Sequence, residues 1–196
     1  MKTKSENLIL ELIETTRQNL NFAETLKAKS NNQLNWKENP ESWSILECLE
    51  HLNLYGDFYL PEIEKTIDNA KSKNESDFKS GILGNYFAES MLPKAKLNKM
   101  KTFKDKNPLN SHLDTNTIDR FINQQIKMLN LLDKSRTISL NKEKTSISLT
   151  KLIKLKIGDT FRFVINHNIR HIKQIENVAL KHAANTITQS EYANPE

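Results

Sequence analysis

His167 and His171 stand four residues apart in a segment whose apolar residues recur at helical steps. On a helix that spacing puts two imidazoles on one face, one turn apart, close enough to share a metal ion. Thr160, Val164, Gln174, Ile175 and Val178 continue the same face, so the pair is expected to point inward. Inward imidazoles are costly to desolvate unless they hydrogen-bond or bind something. The spacing alone leaves two outcomes open, a ligand pair or two satisfied core histidines. His51 is the candidate third ligand, at the edge of the apolar stripe of an earlier helix and beside Cys48, Tyr55 and Phe58. Three neutral imidazoles would leave coordination positions open for water or substrate, which is the catalytic rather than the structural pattern. Such a set suits a divalent transition metal (Zn, Ni or Fe) and not Ca or Mg, which prefer oxygen.

Four amphipathic segments must position these residues. The first helix is predicted over 5–29, with Leu8, Ile9, Leu12, Ile13, Thr16, Leu20 and Ala23 in its stripe and Ser5 as N-cap. The asparagine-rich segment Ser30–Pro40 breaks it. The second starts at Ser44, where Ser44 and Glu47 form an S-x-x-E capping box. Its stripe is Ile45, Leu49, Leu52, Tyr59, Ile63 and Ile67, and Pro61 should kink it or end it early. Residues 69–79 read as an exit loop, followed by a short helical turn over 85–91. Residues 92–114, with Pro93 and Pro108, form a long crossover, either lid-like or a solvated connection. The third helix covers 116–134, with Ile118, Phe121, Ile122, Ile126, Leu129 and Leu132 on one side. Residues 137–157 alternate in part, and an irregular connection is preferred there to a hairpin. Asp159 is the expected N-cap of the fourth helix, which runs to about His182. The polar tail from Asn185 should fray. The expected fold is all-α, a four-helix bundle with long crossover connections. Residues 1–184 would form one domain and 185–196 a polar tail.

Composition agrees with helices and narrows the chemistry. The 196 residues include only four glycines, and no phosphate-cradling glycine motif is present. Cys48 is the single cysteine, which excludes an intrachain disulfide and a cysteine-rich zinc site. There is no apolar run of membrane-spanning length and no signal-peptide pattern, so a cytoplasmic protein is expected. The net charge of +5 is local rather than uniform. Residues 94–106 hold six lysines against one aspartate, whereas residues 41–64 hold six acids and no Lys or Arg. The chain has only five arginines, the usual bidentate base readers, so specific nucleic-acid recognition is not expected.

Two ordered motifs sharpen the reading. Residues 43–52, Trp-Ser-Ile-Leu-Glu-Cys-Leu-Glu-His-Leu, fit W-S-x-x-E-x-x-x-H-L. Residues 158–174 fit G-D-x-x-R-F-x-x-x-H-x-x-R-H-x-x-Q. Between them lie Met100-Lys101-Thr102-Phe103-Lys104, Pro108, Phe121 and Gln125. Over about residues 5–182 this order resembles the DinB-like (DinB_2) superfamily, which is unrelated to the polymerase of similar name. The resemblance implies a four-helix bundle, frequent homodimers, and a divalent metal on His51, His167 and His171. It implies a small-molecule substrate and no membrane partner. Some relatives transfer bacillithiol, mycothiol or glutathione to electrophiles, or isomerise thiol adducts. Thiol S-transfer and metal-assisted hydrolysis both fit, with no general acid or base identified. The alternative is a non-catalytic binding or stress-response module whose metal or buried histidines only fix the core.

The neighbours of these motifs carry smaller expectations. Glu47 serves the cap, with a role behind His51 as the alternative, and Glu50 points to the surface. Cys48 is a buried structural thiol, with a role at the metal as the lesser alternative. Gln174 either lines the site or bonds between helices, and Arg170 pairs with a helix carboxylate. Trp43 anchors the start of the second helix. His112 and His182 lie at the surface.

Overall fold

Leu8, Ile9, Leu12, Ile13, Thr16 and Ala23 are buried along one side of α1 (Ser5–Leu26), as their three- and four-residue steps require. A computed structural model describes residues 1–93, 102–148 and 150–193. Ser5 is the first helical residue rather than the N-cap, which is Lys4 and makes no side-chain cap bond. The reason is a short strand, β1 (Lys2–Lys4), that runs straight into the helix. It pairs antiparallel with β2 (Asp77–Lys79), with Thr3 opposite Phe78, so the expected exit loop contains a strand. The helix-breaking segment likewise holds a short helix, α2 (Asn31–Asn35). Ser30 and Gln33 cap it reciprocally, and Leu34 is its buried residue.

The capping box at Ser44 and Glu47 starts α3 (Ile45–Asp68). Of the two effects expected of Pro61, an early end is not seen, and the helix runs on to Asp68. An internal proline costs roughly 3 kcal/mol through its missing N–H and ring clash. Burial of Tyr59, Leu60 and Ile63 around it offsets that cost. Next come α4 (Ile82–Ser90) and, beyond the crossover, α5 (Asn116–Lys134).

Residues 137–157 correct a second expectation. They form a hairpin rather than an irregular connection. β3 (Lys144–Ile147) pairs antiparallel with β4 (Thr150–Lys156), with a register shift at Ser146 and Ile147. Thr145, Ile147 and Leu155 are buried, and Thr145 Oγ1 hydrogen-bonds with Thr160 Oγ1. The partial alternation was therefore a strand signal.

The last helix, α6 (Ile157–Ala193), begins before Asp159 and continues through the stretch expected to fray. Asp159 thus lies in its first turn and caps across to a different helix. Its fully buried carboxylate accepts from the Gly81 N–H at 2.8 Å, from Ser80 Oγ and from Arg162 Nη1 at 3.3 Å. Arg162 also donates to Ser80 Oγ at 2.8 Å and Asn85 Oδ1 at 3.0 Å. This network seats the N-terminus of α4 on α6. Gly84 permits the approach, because a Cβ there would fall 2.4 Å from Asp159 Oδ2.

In the bundle α1 packs on α5, α3 on α5 and α6, and α4 on α6. One apolar cluster gathers Leu8, Leu12, Tyr59, Ile63, Phe78 and Phe161. Another gathers Ala23, Leu26, Leu46, Leu49, Phe121 and Ile175. On α6 the chain passes from the first cluster at Ile165 to the second at Ile175 across His167 and His171, and on α3 His51 stands between Leu49 and Leu52 of the second. The histidines belong to neither apolar cluster and form a polar patch in the interior, as the Asp159–Arg162 network does elsewhere.

Candidate metal centre

The α3–α6 interface brings all three sequence-predicted ligands together. Their exposures are 3% for His51, 6% for His167 and 7% for His171. His167 Nε2 lies 3.3 Å from His51 Nε2 and 3.0 Å from His171 Nε2. One ligand atom from each residue falls within 4.8 Å of the others, a set that could hold a metal ion.

The outer edges of two rings fix their tautomers. His51 Nδ1 is 2.6 Å from the Lys106 carbonyl oxygen, and His171 Nδ1 is 3.0 Å from Gln174 Oε1. Carbonyl and amide oxygens only accept, so both Nδ1 atoms carry the hydrogen and both Nε2 lone pairs face inward. A single hydrogen on His167 Nε2 could satisfy one of them but not both. A cation satisfies all three. Tetrahedral zinc with nitrogens at 2.0–2.1 Å places them about 3.3–3.4 Å apart, close to the spacing seen. The donor set therefore fits a divalent transition metal, with each outer hydrogen bond orienting its ligand.

Burial keeps the rings in the ligating form. It lowers the His51 pKa to about 4, against a smaller raising effect of the Lys106 carbonyl. It also holds His167 and His171 well below the usual imidazole value, with neighbouring rings and Arg170 adding to the effect. Unfolded imidazoles protonate near pH 6.5. Below that pH the unfolded state binds more protons than the folded one, so stability falls as pH drops from about 6.5 towards 4. At pH 5 His51 alone should account for about 2 kcal/mol. Urea unfolding of metal-stripped protein should show a lower midpoint at pH 5 than at pH 7.5. Equal midpoints would contradict the neutral buried triad.

Aromatic rings wall the site. The Trp43 ring centroid lies 4.7 Å from His51 and 5.8 Å from His171. Tyr55 meets His167 at 4.6 Å and His51 at 5.0 Å, and Phe163 stacks on His167 at 6.0 Å. Burial pushes the Tyr55 phenol up to about 12, helped by Tyr59 and Asp105. A half-open pocket of about 280 Å³ is lined by Phe103, Asp105, Lys106 and Ser148. Two of its lining residues reach towards the site: the Lys106 carbonyl meets the outer edge of His51, and the Ser148 N–H donates to the hydroxyl of Tyr59, which stacks on Tyr55.

The neighbouring residues sort themselves by contact. Gln174 orients His171. Glu50 turns outward to Arg120 at 3.0 Å. Glu47 accepts the Ser44 N–H at 2.8 Å and also reaches Lys37 and the Asn110 N–H. Cys48 is fully buried in an apolar cluster, where burial raises its thiol pKa, so it is a core residue. Trp43 does more than anchor a helix start: its ring packs at a tilt against His51 and His171, and it donates to Asn107 Oδ1 at 3.2 Å. Arg170 is buried, and His112 is exposed. His182 is half-buried with its ring against Trp36 at 5.2 Å. Two contributors were missed from sequence. Phe163 was legible, since it precedes His167 by one helical turn. Lys106 was not, because it acts through its main-chain carbonyl. Residues 94–101 of the lysine-rich segment lie outside the described residues.

Among the described residues no helix is long and apolar enough to cross a membrane. The family model described as the DinB superfamily (DinB_2) matches residues 12–175, a span that includes all three histidines. Searches of curated proteins and of solved structures find no significant match.

Proposed function

The chain belongs to the DinB superfamily, and on that premise we propose that it is a metal-dependent enzyme that activates a small nucleophile. The observation that carries this is the convergence of three buried Nε2 atoms at one point between α3 and α6. A divalent ion held by His51, His167 and His171 would lower the pKa of a bound thiol or water and polarise an electrophile. The chain's own residues supply the rest. The Lys106 carbonyl and Gln174 keep two imidazoles in the ligating tautomer. Trp43, Tyr55 and Phe163 exclude bulk water around the ligands and offer flat apolar surfaces to a substrate. The substrate class we favour is a low-molecular-weight thiol with a carbon electrophile. The sulfur–carbon bond forms as the leaving group departs, and the thiol proton passes to solvent.

The test is a panel of thiols crossed with electrophiles, run on zinc-, nickel- and iron-loaded protein and on stripped protein. Adduct formation that rises and falls with metal content supports thiol transfer. Ester or amide cleavage that tracks metal content instead selects hydrolysis. Bound metal without turnover in either panel selects the non-catalytic module, which the near-complete burial of the ligands favours.

A further inference from the structure

Beyond its own internal bonds, the segment 103–110 makes polar contacts with His51, Trp43, Glu47 and Lys37, all on or just before α3. The segment opens with a 3-10 turn (Lys104–Lys106) and follows the wall of the cavity. The Lys106 carbonyl takes the His51 Nδ1–H. Asn107 Oδ1 takes the Trp43 Nε1–H. The Asn110 N–H donates to Glu47 Oε1, and Lys37 Nζ bridges Asn110 Oδ1 at 3.0 Å and Glu47 Oε1 at 2.7 Å. Asn110 reaches Glu47 by turning into the left-handed region, with φ at 64°. Glu47 itself is 2% exposed. A helix cap needs one carboxylate oxygen, and Oε2 already serves the Ser44 N–H. The second oxygen is therefore spent on the strap.

We infer that Glu47 is a positioning residue for the metal centre. It holds the 103–110 strap so that the Lys106 carbonyl meets His51 and keeps the Nε2 lone pair on the metal side. The inference rests on the metal-site reading above. Coupling runs both ways: a cation on Nε2 acidifies the Nδ1–H and tightens its bond to the Lys106 carbonyl, so metal also secures the strap.

The test measures zinc affinity by chelator competition and hydrogen exchange over peptides spanning 102–111. Glu47→Gln keeps an acceptor for the capping box but cannot serve Ser44, Asn110 and Lys37 together. It should weaken zinc binding by about tenfold, the lower end for loss of an outer partner. The strap amides should exchange faster in this variant, and faster in metal-free than in zinc-loaded wild type. Asn107→Ala releases the strap from its Trp43 end without touching α3, and should shift both readouts the same way even if Glu47→Gln misfolds. Glu50→Gln is the control, because it removes the same charge one residue from His51 but on the Arg120 side. It should leave both readouts unchanged. Wild-type zinc affinity in Glu47→Gln or Asn107→Ala, or an equal loss in Glu50→Gln, overturns the positioning role. Wild type that binds no zinc overturns the metal reading itself, and that result is read independently of the variants.

Discussion

His167→Ala should purify without a divalent ion and keep its helical fold. Its Nε2 lies 3.3 and 3.0 Å from the other two, so its loss removes one of the three converging donors. Losing an outer hydrogen-bond partner typically costs ten- to a hundredfold in affinity, and losing a ligand should cost more. The bundle should survive, because His167 belongs to neither apolar cluster. Added zinc should raise the melting temperature of stripped wild type, since a ligand at a hundred times its dissociation constant stabilises by about 2.7 kcal/mol. The variant should show no such shift. Retention of wild-type metal content in His167→Ala would place the ion elsewhere.

Asp159→Asn should produce the largest loss of stability among single polar substitutions at this end of the fold. The carboxylate is completely buried, and Arg162 beside it is 7% exposed. Asparagine has nearly the same shape but no charge, and its amide nitrogen cannot accept from Gly81 or Ser80. Arg162 would then lose its buried partner and keep only the half-exposed Glu89 at 3.9 Å, and breaking a buried pair costs about 3–5 kcal/mol. Chemical denaturation should show a drop of that size. The double variant Asp159→Asn, Arg162→Met should recover part of it, because the stranded charge is gone. A loss below about 1 kcal/mol in the single variant would mean that the pair contributes little to seating α4.

The long elements and the meeting of the three histidines were legible from the chain, through apolar periodicity, the i, i+4 spacing and the motif that carries His51. The i, i+4 histidines share a face by helix geometry alone, and the S-x-x-E box at Ser44 marks a real helix start. The elements that were misjudged follow different rules. Pro61 stays inside α3 because tertiary burial outweighs a local penalty. The β1–β2 ladder joins residues 2–4 to 77–79, a pairing that no local pattern announces. Asp159 looked like a cap for its own helix, yet its partner Gly81 lies far away in sequence. At the site, the Lys106 contact is made by a main-chain oxygen, for which residue type carries no information. Glu47 showed only its capping half, since its second oxygen serves a segment more than sixty residues on.

The central claim is that three buried imidazoles hold one divalent ion, and elemental analysis of wild-type protein purified without chelator tests it most directly. About one zinc, nickel or iron per chain, removed by chelator and restored on addition, is the expected result. Protein that carries no such ion and takes up none when each is supplied would contradict the account.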